Sequence, residues 1–341
     1  MRKLFFVCFL ATFAVINLWA DELVSVPVAT LTHNGEARQF YGASALSDAH
    51  AAAVSGDVIT LNSGIFNACD ITKGITLRGA CMATTTEMSQ AGMKLTRIQN
   101  DMRIKVPSSD PNTLKIEDLN FSNSCYVDSV GHVVFTRTMF NSYCYATGKM
   151  SNFDAIQCYI TYLQCNTTSE AVYNLTNSTF RYSSNAFPKH MNATNCTIGS
   201  FGVSNTNSSV AVFQNCIFTY KYTGSYVSYY QIPEGCVAIN CVSPFSSTFS
   251  RCQASNCKSN VALSSLFNTT STSIDGPTTM QLTETAAATY LGTDGTQVGI
   301  YGGLFPFTYM PDNPLVTRCD IANKTTEDGK LKVEIEVKSV Q

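Results

Sequence analysis

Asn195-Cys196-Thr197-Ile198, Asn215-Cys216-Ile217-Phe218 and Asn240-Cys241-Val242-Ser243 are three copies of one short signature. Asn177-Ser178-Thr179-Phe180 and Gln157-Cys158-Tyr159-Ile160 fit the same frame. Carried outward, the closing positions Phe121, Phe140, Ile160, Phe180, Ile198, Phe218 and Ser243 stand 19, 20, 20, 18, 20 and 25 residues apart. A fixed period in this range marks a solenoid, in which no single repeat buries its own apolar face. Like residues then stack at one strand spacing, about 4.8 Å. The frame predicts two structural columns. One is an asparagine ladder of Asn177, Asn195, Asn215 and Asn240, whose amides donate and accept along the stack at a tight turn. The other is a column of Cys158, Cys196, Cys216 and Cys241, packed inward as small apolar groups. Asn177 and Asn195 also begin Asn-x-Ser/Thr sequons, and a buried ladder amide cannot carry a glycan.

Upstream of the repeats, Leu23 to Leu31 reads as a Val/Thr-rich strand, and Ser44 to Val54 as a short Ala-rich helix stopped by Gly56. A helix there covers the end of a solenoid, whose free strand edge otherwise invites aggregation. Gly56-Asp57-Val58-Ile59-Thr60-Leu61 alternates into a strand, and the pattern continues through Gly64-Ile65-Phe66 and from Ile71 to Gly79. Short Val/Ile/Thr strands broken by single glycines suit the sides and corners of a coil. Positions 56–79 resemble the opening coils of right-handed parallel β-helix proteins of the pectin-lyase-like type. There a cap helix precedes a G-D-x-I-x-L-x-x-G-x-[FY] segment and then I-x-K-x-I-x-L-x-G. The resemblance covers most of residues 44–260. It implies an all-β chain, a right-handed parallel β-helix with an N-terminal cap helix and a small C-terminal β appendage. It does not specify an activity.

After Asn260 the pattern changes. Ser264 to Thr285 is Ser/Thr-rich, Gly292 to Gly303 is punctuated by glycine, and Pro306, Pro311 and Pro314 follow, as in an extended linker. Leu315 to Ala322 and Lys330 to Val337 read as two strands joined at Glu327-Asp328-Gly329, with Lys330, Lys332, Glu334, Glu336 and Lys338 on a solvated face. This tail looks like the C-terminal ends of secreted β-helix proteins from Gram-negative gut-type bacteria, which implies a compartment rather than a chemistry. The expected division is therefore a signal peptide at 1–20, first strand and cap helix at 21–55, parallel β-helix at 56–290, Gly/Pro-rich linker at 291–314 and β-hairpin at 315–341.

Met1-Arg2-Lys3, the apolar run from Leu4 to Ile16 and Ala20 compose the signal peptide. They predict a secreted protein, extracellular or held on the outer surface. No later stretch approaches the roughly 18 apolar residues of a membrane helix. Charged residues make up 13% of the 341 positions, against about 25% in an average domain. The net charge of −2 makes no electrostatic case for nucleic acid. Outside the thiol column, Cys69 with Cys81 and Cys252 with Cys257 are candidate disulfides of a secreted chain. Cys236, Cys241, Cys252 and Cys257 loosely match zinc-site spacing, but Cys241 already belongs to the column and no histidine lies nearby. No metal or cofactor is expected.

The β-helix resemblance brings with it lyases, hydrolases and esterases of acidic polysaccharides. A lyase needs clustered carboxylates for calcium and a base; a hydrolase needs two carboxylates at a set distance. Asp118, Asp128, Asp154, Glu117, Glu170 and Glu234 do not recur at one-coil spacing on a shared face. Arg103-Ile104-Lys105 echoes a basic triplet of family hydrolases. It precedes the main coils, the family's Asn-Thr-Asp and Asp-Asp elements are absent, and Gly131-His132 lacks the second glycine of its Gly-His-Gly element. His33, His50, His132 and His190 have no nucleophile motif beside them. The candidate site is aromatic. Tyr220, Tyr222, Tyr226, Tyr229 and Tyr230 crowd the longest repeat, where a projecting loop would offer flat apolar faces with polar tips to a sugar or a protein. The expectation is a non-catalytic secreted or cell-surface protein that binds a polysaccharide or a host or cell-surface protein. The alternatives are a polysaccharide lyase or other carbohydrate-active enzyme with a divergent site, and an adhesin-like structural surface protein.

Overall fold

A computed structural model describes residues 26–86, 89, 94–166, 169–182, 188–199, 210–219, 231–268, 276–311, 315–325 and 329–338. Parallel strands wind into a β-solenoid of about 8 turns, with 43% of the chain in strands and 10% in helices. One wall is a 12-stranded sheet and the other a 10-stranded sheet. The closing anchors form one in-register column, Phe121 against Phe140, Ile160, Phe180, Ile198 and Phe218 in turn. All six are buried. Phe121 and Phe140 stack with ring centroids 5.1 Å apart. Phe135, Phe153 and Tyr173 fill the facing wall. The Tyr173 hydroxyl stays satisfied inside the core, donating to Ala146 O at 2.6 Å. Full burial of each such side chain contributes about 1.5–3 kcal/mol.

The chain turns from one wall to the other at one left-handed residue per coil. Asp118, Arg137, Gln157, Asn177, Asn195, Asn215, Asn240 and Asn256 all have φ between 43° and 57°. Asparagine reaches that region at the least steric cost of any residue with a Cβ, which is why it recurs there. The first rungs use other chemistry. Arg137 Nε donates to Asp118 Oδ1 at 2.7 Å in a buried pair, and the Arg137 Nη1 reaches Gln157 Oε1 at 3.5 Å.

From the Arg137 turn onward the residue after each turn is a small donor. Thr138, Cys158, Ser178, Cys196, Cys216, Cys241 and Cys257 each give an O–H or S–H to two carbonyls. One carbonyl lies two residues back, and the other belongs to the preceding rung. The thiol column therefore carries hydrogen bonds as well as packing, and Ser178 and Thr138 occupy it for the same reason.

This column corrects the disulfide expectation. All 12 cysteines whose side chains are described are free thiols. Cys257 lies one rung beyond Cys241 in the column, because the last coil shortens to 16 residues between Asn240 and Asn256; it does not bridge to Cys252. Cys81 donates to Lys94 O at 3.4 Å and is not joined to Cys69. Burial pushes the Cys69, Cys81 and Cys158 thiols up to about 12, so they remain protonated and unreactive.

At the N-terminal end, strands Val28–His33 and Glu36–Tyr41 form an antiparallel hairpin. Its turn is Asn34-Gly35, both at positive φ, the chemistry of a tight two-residue hairpin turn. Val28–His33 also pairs antiparallel with Val58–Leu61, which closes the first edge of the long sheet. Helix α1, Ala45–Ala52, buries Ala45, Leu46, Ala49 and His50. Lys73 Nζ caps its end, donating to the carbonyls of His50, Ala51 and Ala53.

The glycine- and proline-punctuated stretch is docked on the solenoid. Gln157 Nε2 donates to Pro306 O at 2.6 Å, and Asn177 Nδ2 to Ile300 O and Gly302 O. Asn215 Oδ1 accepts from Thr293 N at 3.0 Å, and Gly299 N donates to Asn215 O. The turn ladder therefore spends most of its described amide bonds on this strap; Asn256 Nδ2 to Asn240 Oδ1 at 2.8 Å is the amide–amide contact. A Cβ at Gly302 would collide with Gln297 O, and one at Gly303 with Asn195 Nδ2. Beneath the strap Val298, Ile300 and Phe307 join Ile217, Val242, Leu266, Phe267 and Met280 in a second apolar cluster. Asn177 and Asn195 are buried under it, beyond the reach of glycosylation. Strands Leu315–Thr325 and Leu331–Lys338 form an antiparallel hairpin that is a sheet of its own. No helix among the described residues is long and apolar enough to cross a membrane.

Candidate functional site

Tyr220, Tyr222, Tyr226, Tyr229 and Tyr230 lie outside the described residues. A different aromatic group stands on the outer face of the 10-stranded sheet. Strands Met102–Lys105, Cys125–Ser129, Met139–Ala146 and Tyr159–Cys165 lie side by side there. Their alternate residues Met102, Ile104, Cys125, Val127, Cys144, Ala146, Leu163 and Cys165 point inward and are buried. The same alternation turns Arg103, Tyr126, Tyr143, Tyr145 and Tyr162 outward. Parallel register sets Tyr126 beside Arg103 and Tyr145, and Tyr143 beside Tyr162.

The rings stack into a continuous row. Tyr126 and Tyr145 have centroids 4.7 Å apart and planes within 5°. Tyr145 and Tyr143 follow at 5.1 Å, then Tyr143 and Tyr162 at 4.8 Å. The Arg103 guanidinium lies 4.6 Å from the Tyr126 centroid and closes the row, a cation–π contact of about 0.5–1 kcal/mol at an exposed site. Asp128 Oδ2 accepts from Arg103 Nη1 at 2.9 Å and holds it in place; that bond also raises the arginine pKa. Burial, then the neighbouring Tyr126 and Tyr143, raise the Tyr145 phenol above its ordinary value. Each of the four tyrosines is half-buried. Because the faces cover one another, edges and hydroxyls are what the row offers outward.

Sequence reasoning passed over this row, although a signal existed. Tyr126 to Tyr145 and Tyr143 to Tyr162 are each 19 residues apart, the same step as Phe121 to Phe140. A one-coil spacing of outward tyrosines is as legible as one of inward phenylalanines.

The acids singled out from the sequence are each matched with a base. Asp118 holds Arg137, Asp128 holds Arg103, and Asp154 lies 2.7 Å from His132 Nε2. Glu117 accepts from Arg78, Glu170 from Lys189 and His190, and Glu234 from Arg251 at 3.4 Å. Lys105 pairs with Asp70 at 2.7 Å, so Arg103 and Lys105 are both on the outer face of their strand, each with its own carboxylate. His33 pairs with Asp57 at 2.7 Å. Asp154 also accepts from Asn174, and Asn174 from Asn192, a polar ladder on the opposite wall. Among the described residues no group of three His, Cys, Asp or Glu could hold a metal ion; Cys241 and Cys257 of the zinc-like spacing are in the donor column.

No protein-family model matches the chain, and no curated protein or solved structure is significantly similar to it.

Proposed function

We propose that this chain is a non-catalytic secreted or cell-surface β-solenoid that docks a protein partner on its tyrosine row. The carrying observation is the stacked run of Tyr126, Tyr145, Tyr143 and Tyr162 with Arg103 closing one end. Tyrosine and arginine are the side chains that concentrate binding energy at protein interfaces. Rings already stacked and seated on rigid strands lose little rotamer freedom on binding, which favours affinity. The ion pairing of each acid supports a surface that recognises rather than one that reacts. The signal-like start from Met1 to Ala20 supports secretion. Descent from the pectin-lyase-like β-helices, and a Gram-negative source, belong to the same proposal and rest on the pattern at 56–79 and on the tail.

Binding of a polysaccharide is the second reading, favoured by the hydroxyl edges of the row. It is the weaker one because sugar stacking calls for free ring faces, and here neighbouring rings occupy them. The experiment is a binding screen of the purified chain against arrays of extracellular protein domains and of acidic and neutral polysaccharides, with product release from the polysaccharides followed in parallel. Saturable binding to a protein domain and no product supports the proposal. Binding to glycans alone transfers the row to the second reading, and new reducing ends or unsaturated products overturn the non-catalytic role.

A further inference from the structure

We propose that a cleft at the last two coils of the solenoid binds the C-terminal residue of a partner polypeptide, taking its apolar side chain and its α-carboxylate together. The cleft lies between those coils and the segment that leads from the helix Glu284–Thr289 into the strap. Its inner wall is apolar. Val242 and Val298 are buried there, Tyr290 packs against the cluster beneath the strap, and Leu291 is 45% exposed at the mouth. The cavity is about 130 Å³. That is close to the roughly 150 Å³ that holds one six-membered ring, and well below the roughly 300–1,000 Å³ of a site for a drug-sized molecule. One side chain fits it, and a cofactor does not.

The polar lining supplies the rest of the argument. Earlier turn amides donate to the strap, Gln157 to Pro306 O and Asn177 to Ile300 O and Gly302 O. Asn240 bonds no part of the strap. Its Oδ1 accepts from Asn256 Nδ2 at 2.8 Å, and its Nδ2 has no acceptor among the described residues. Lys258 lines the same cleft with no carboxylate beside its ammonium, and the Tyr290 hydroxyl has no hydrogen bond, again among the described residues. Three donors without acceptors, one of them cationic, call for a carboxylate. The apolar wall requires that carboxylate to be joined directly to an apolar body. A C-terminal residue is such a unit, because its α-carboxylate and its side chain leave one carbon. Asp or Glu would put the charge where the apolar group belongs. Asn256 Oδ1 has no donor among the described residues, so it is free to accept the N–H of that last residue, which a simple organic acid lacks. Capture of a chain's terminal carboxylate is an established mode of peptide recognition, and the strap shows the same amide ladder holding an extended segment by its carbonyls.

The test is fluorescence anisotropy of the purified full chain with short labelled peptides ending in Leu, Ile, Val or Phe, each as the free acid and as the C-terminal amide. The free acids are expected to bind saturably, and more weakly in high salt because Lys258 is exposed. The amides should bind at least about tenfold more weakly. Lys258→Met keeps the aliphatic stem and removes the charge. Asn240→Asp keeps a side chain that tolerates φ 51° and exchanges the donor for an anion. Each should weaken binding of the free acids by about tenfold or more with the circular dichroism spectrum unchanged, and Lys258→Arg should retain it. Tyr126→Ala/Tyr145→Ala should bind these peptides like the wild type, so the cleft and the tyrosine row stand or fall separately. Acids and amides that bind alike, no saturation up to about millimolar peptide, or affinity indifferent to both Lys258→Met and Asn240→Asp would each overturn the proposal. Isovalerate or phenylacetate competing as well as the unlabelled peptides would overturn the assignment to a polypeptide end.

Discussion

Cys196 Sγ has two carbonyls within 3.3 Å, Leu175 O from the preceding rung and Thr194 O two residues back. Packing alone would make alanine a fair substitute for it; hydrogen bonding would make serine the better one. Ser178, which occupies the same column and bonds Ala155 O and Thr176 O, shows what a hydroxyl does there. We expect Cys196→Ser to change unfolding free energy by under about 1 kcal/mol, and Cys196→Ala to cost about 1–2 kcal/mol for the lost donor and the small void. Urea denaturation measures both, and an alanine variant as stable as the serine one would reduce the column to packing. At this scale the sequence was legible where residue identity repeats. Asn195-Cys196 and Asn215-Cys216 announce a turn and a small buried residue, though not that residue's donor role, whereas Asp118-Leu119 and Arg137-Thr138 perform the turn with unrelated side chains and cannot be recognised from identity. The Cys252–Cys257 misreading has the same root: a short spacing looked like a bridge because the shortened last coil had moved Cys257 out of the expected step.

Among the elements, the strap was the least legible. Glycine and proline describe only local backbone, and a docked segment reads like a free linker when its partners are 123 and 149 residues away, as Asn177 and Gln157 are. Asn177→Ala removes both amide bonds to the strap and places alanine at φ 46°. The expected result is faster hydrogen exchange at residues 298–303, by about tenfold, with a global cost of about 1–3 kcal/mol. Unchanged exchange there would show that apolar burial alone holds the strap. Helix α1 carries a pH signature. Burial, with Lys73 adding to it and Asp70 opposing, lowers His50 from 6.5 to about 4, and Thr72 N donates to its Nε2 at 3.1 Å. The unfolded chain thus binds a proton in a range where the folded chain does not. This stabilisation is fully present above pH 6.5 and is lost as the pH falls toward about 4, on the order of 2–3 kcal/mol in all. His50→Gln should flatten the stability profile between those pH values; an unaltered slope would assign the dependence to other groups.

For the whole molecule, a period of about twenty residues was enough to infer a solenoid, because one coil must be repeated before any face is buried. The anchors Phe121 to Phe218 fell in register as that period requires. Function was less legible. An inward column advertises itself by apolar identity, while an outward row competes with every other polar position for notice, and the crowded tyrosines at 220–230 drew attention from the evenly spaced ones at 126, 143, 145 and 162. A solenoid converts even spacing into contact, since each coil adds the same side chain one strand further along. That conversion makes the tyrosine row a single preorganised surface rather than four scattered residues. The most direct measurement is the affinity of the Tyr126→Ala/Tyr145→Ala variant, against wild type, for the protein domain selected in the binding screen. With the circular dichroism spectrum unchanged, the row predicts at least a roughly tenfold loss of affinity. An unaltered dissociation constant would contradict it and move the binding surface elsewhere on the solenoid.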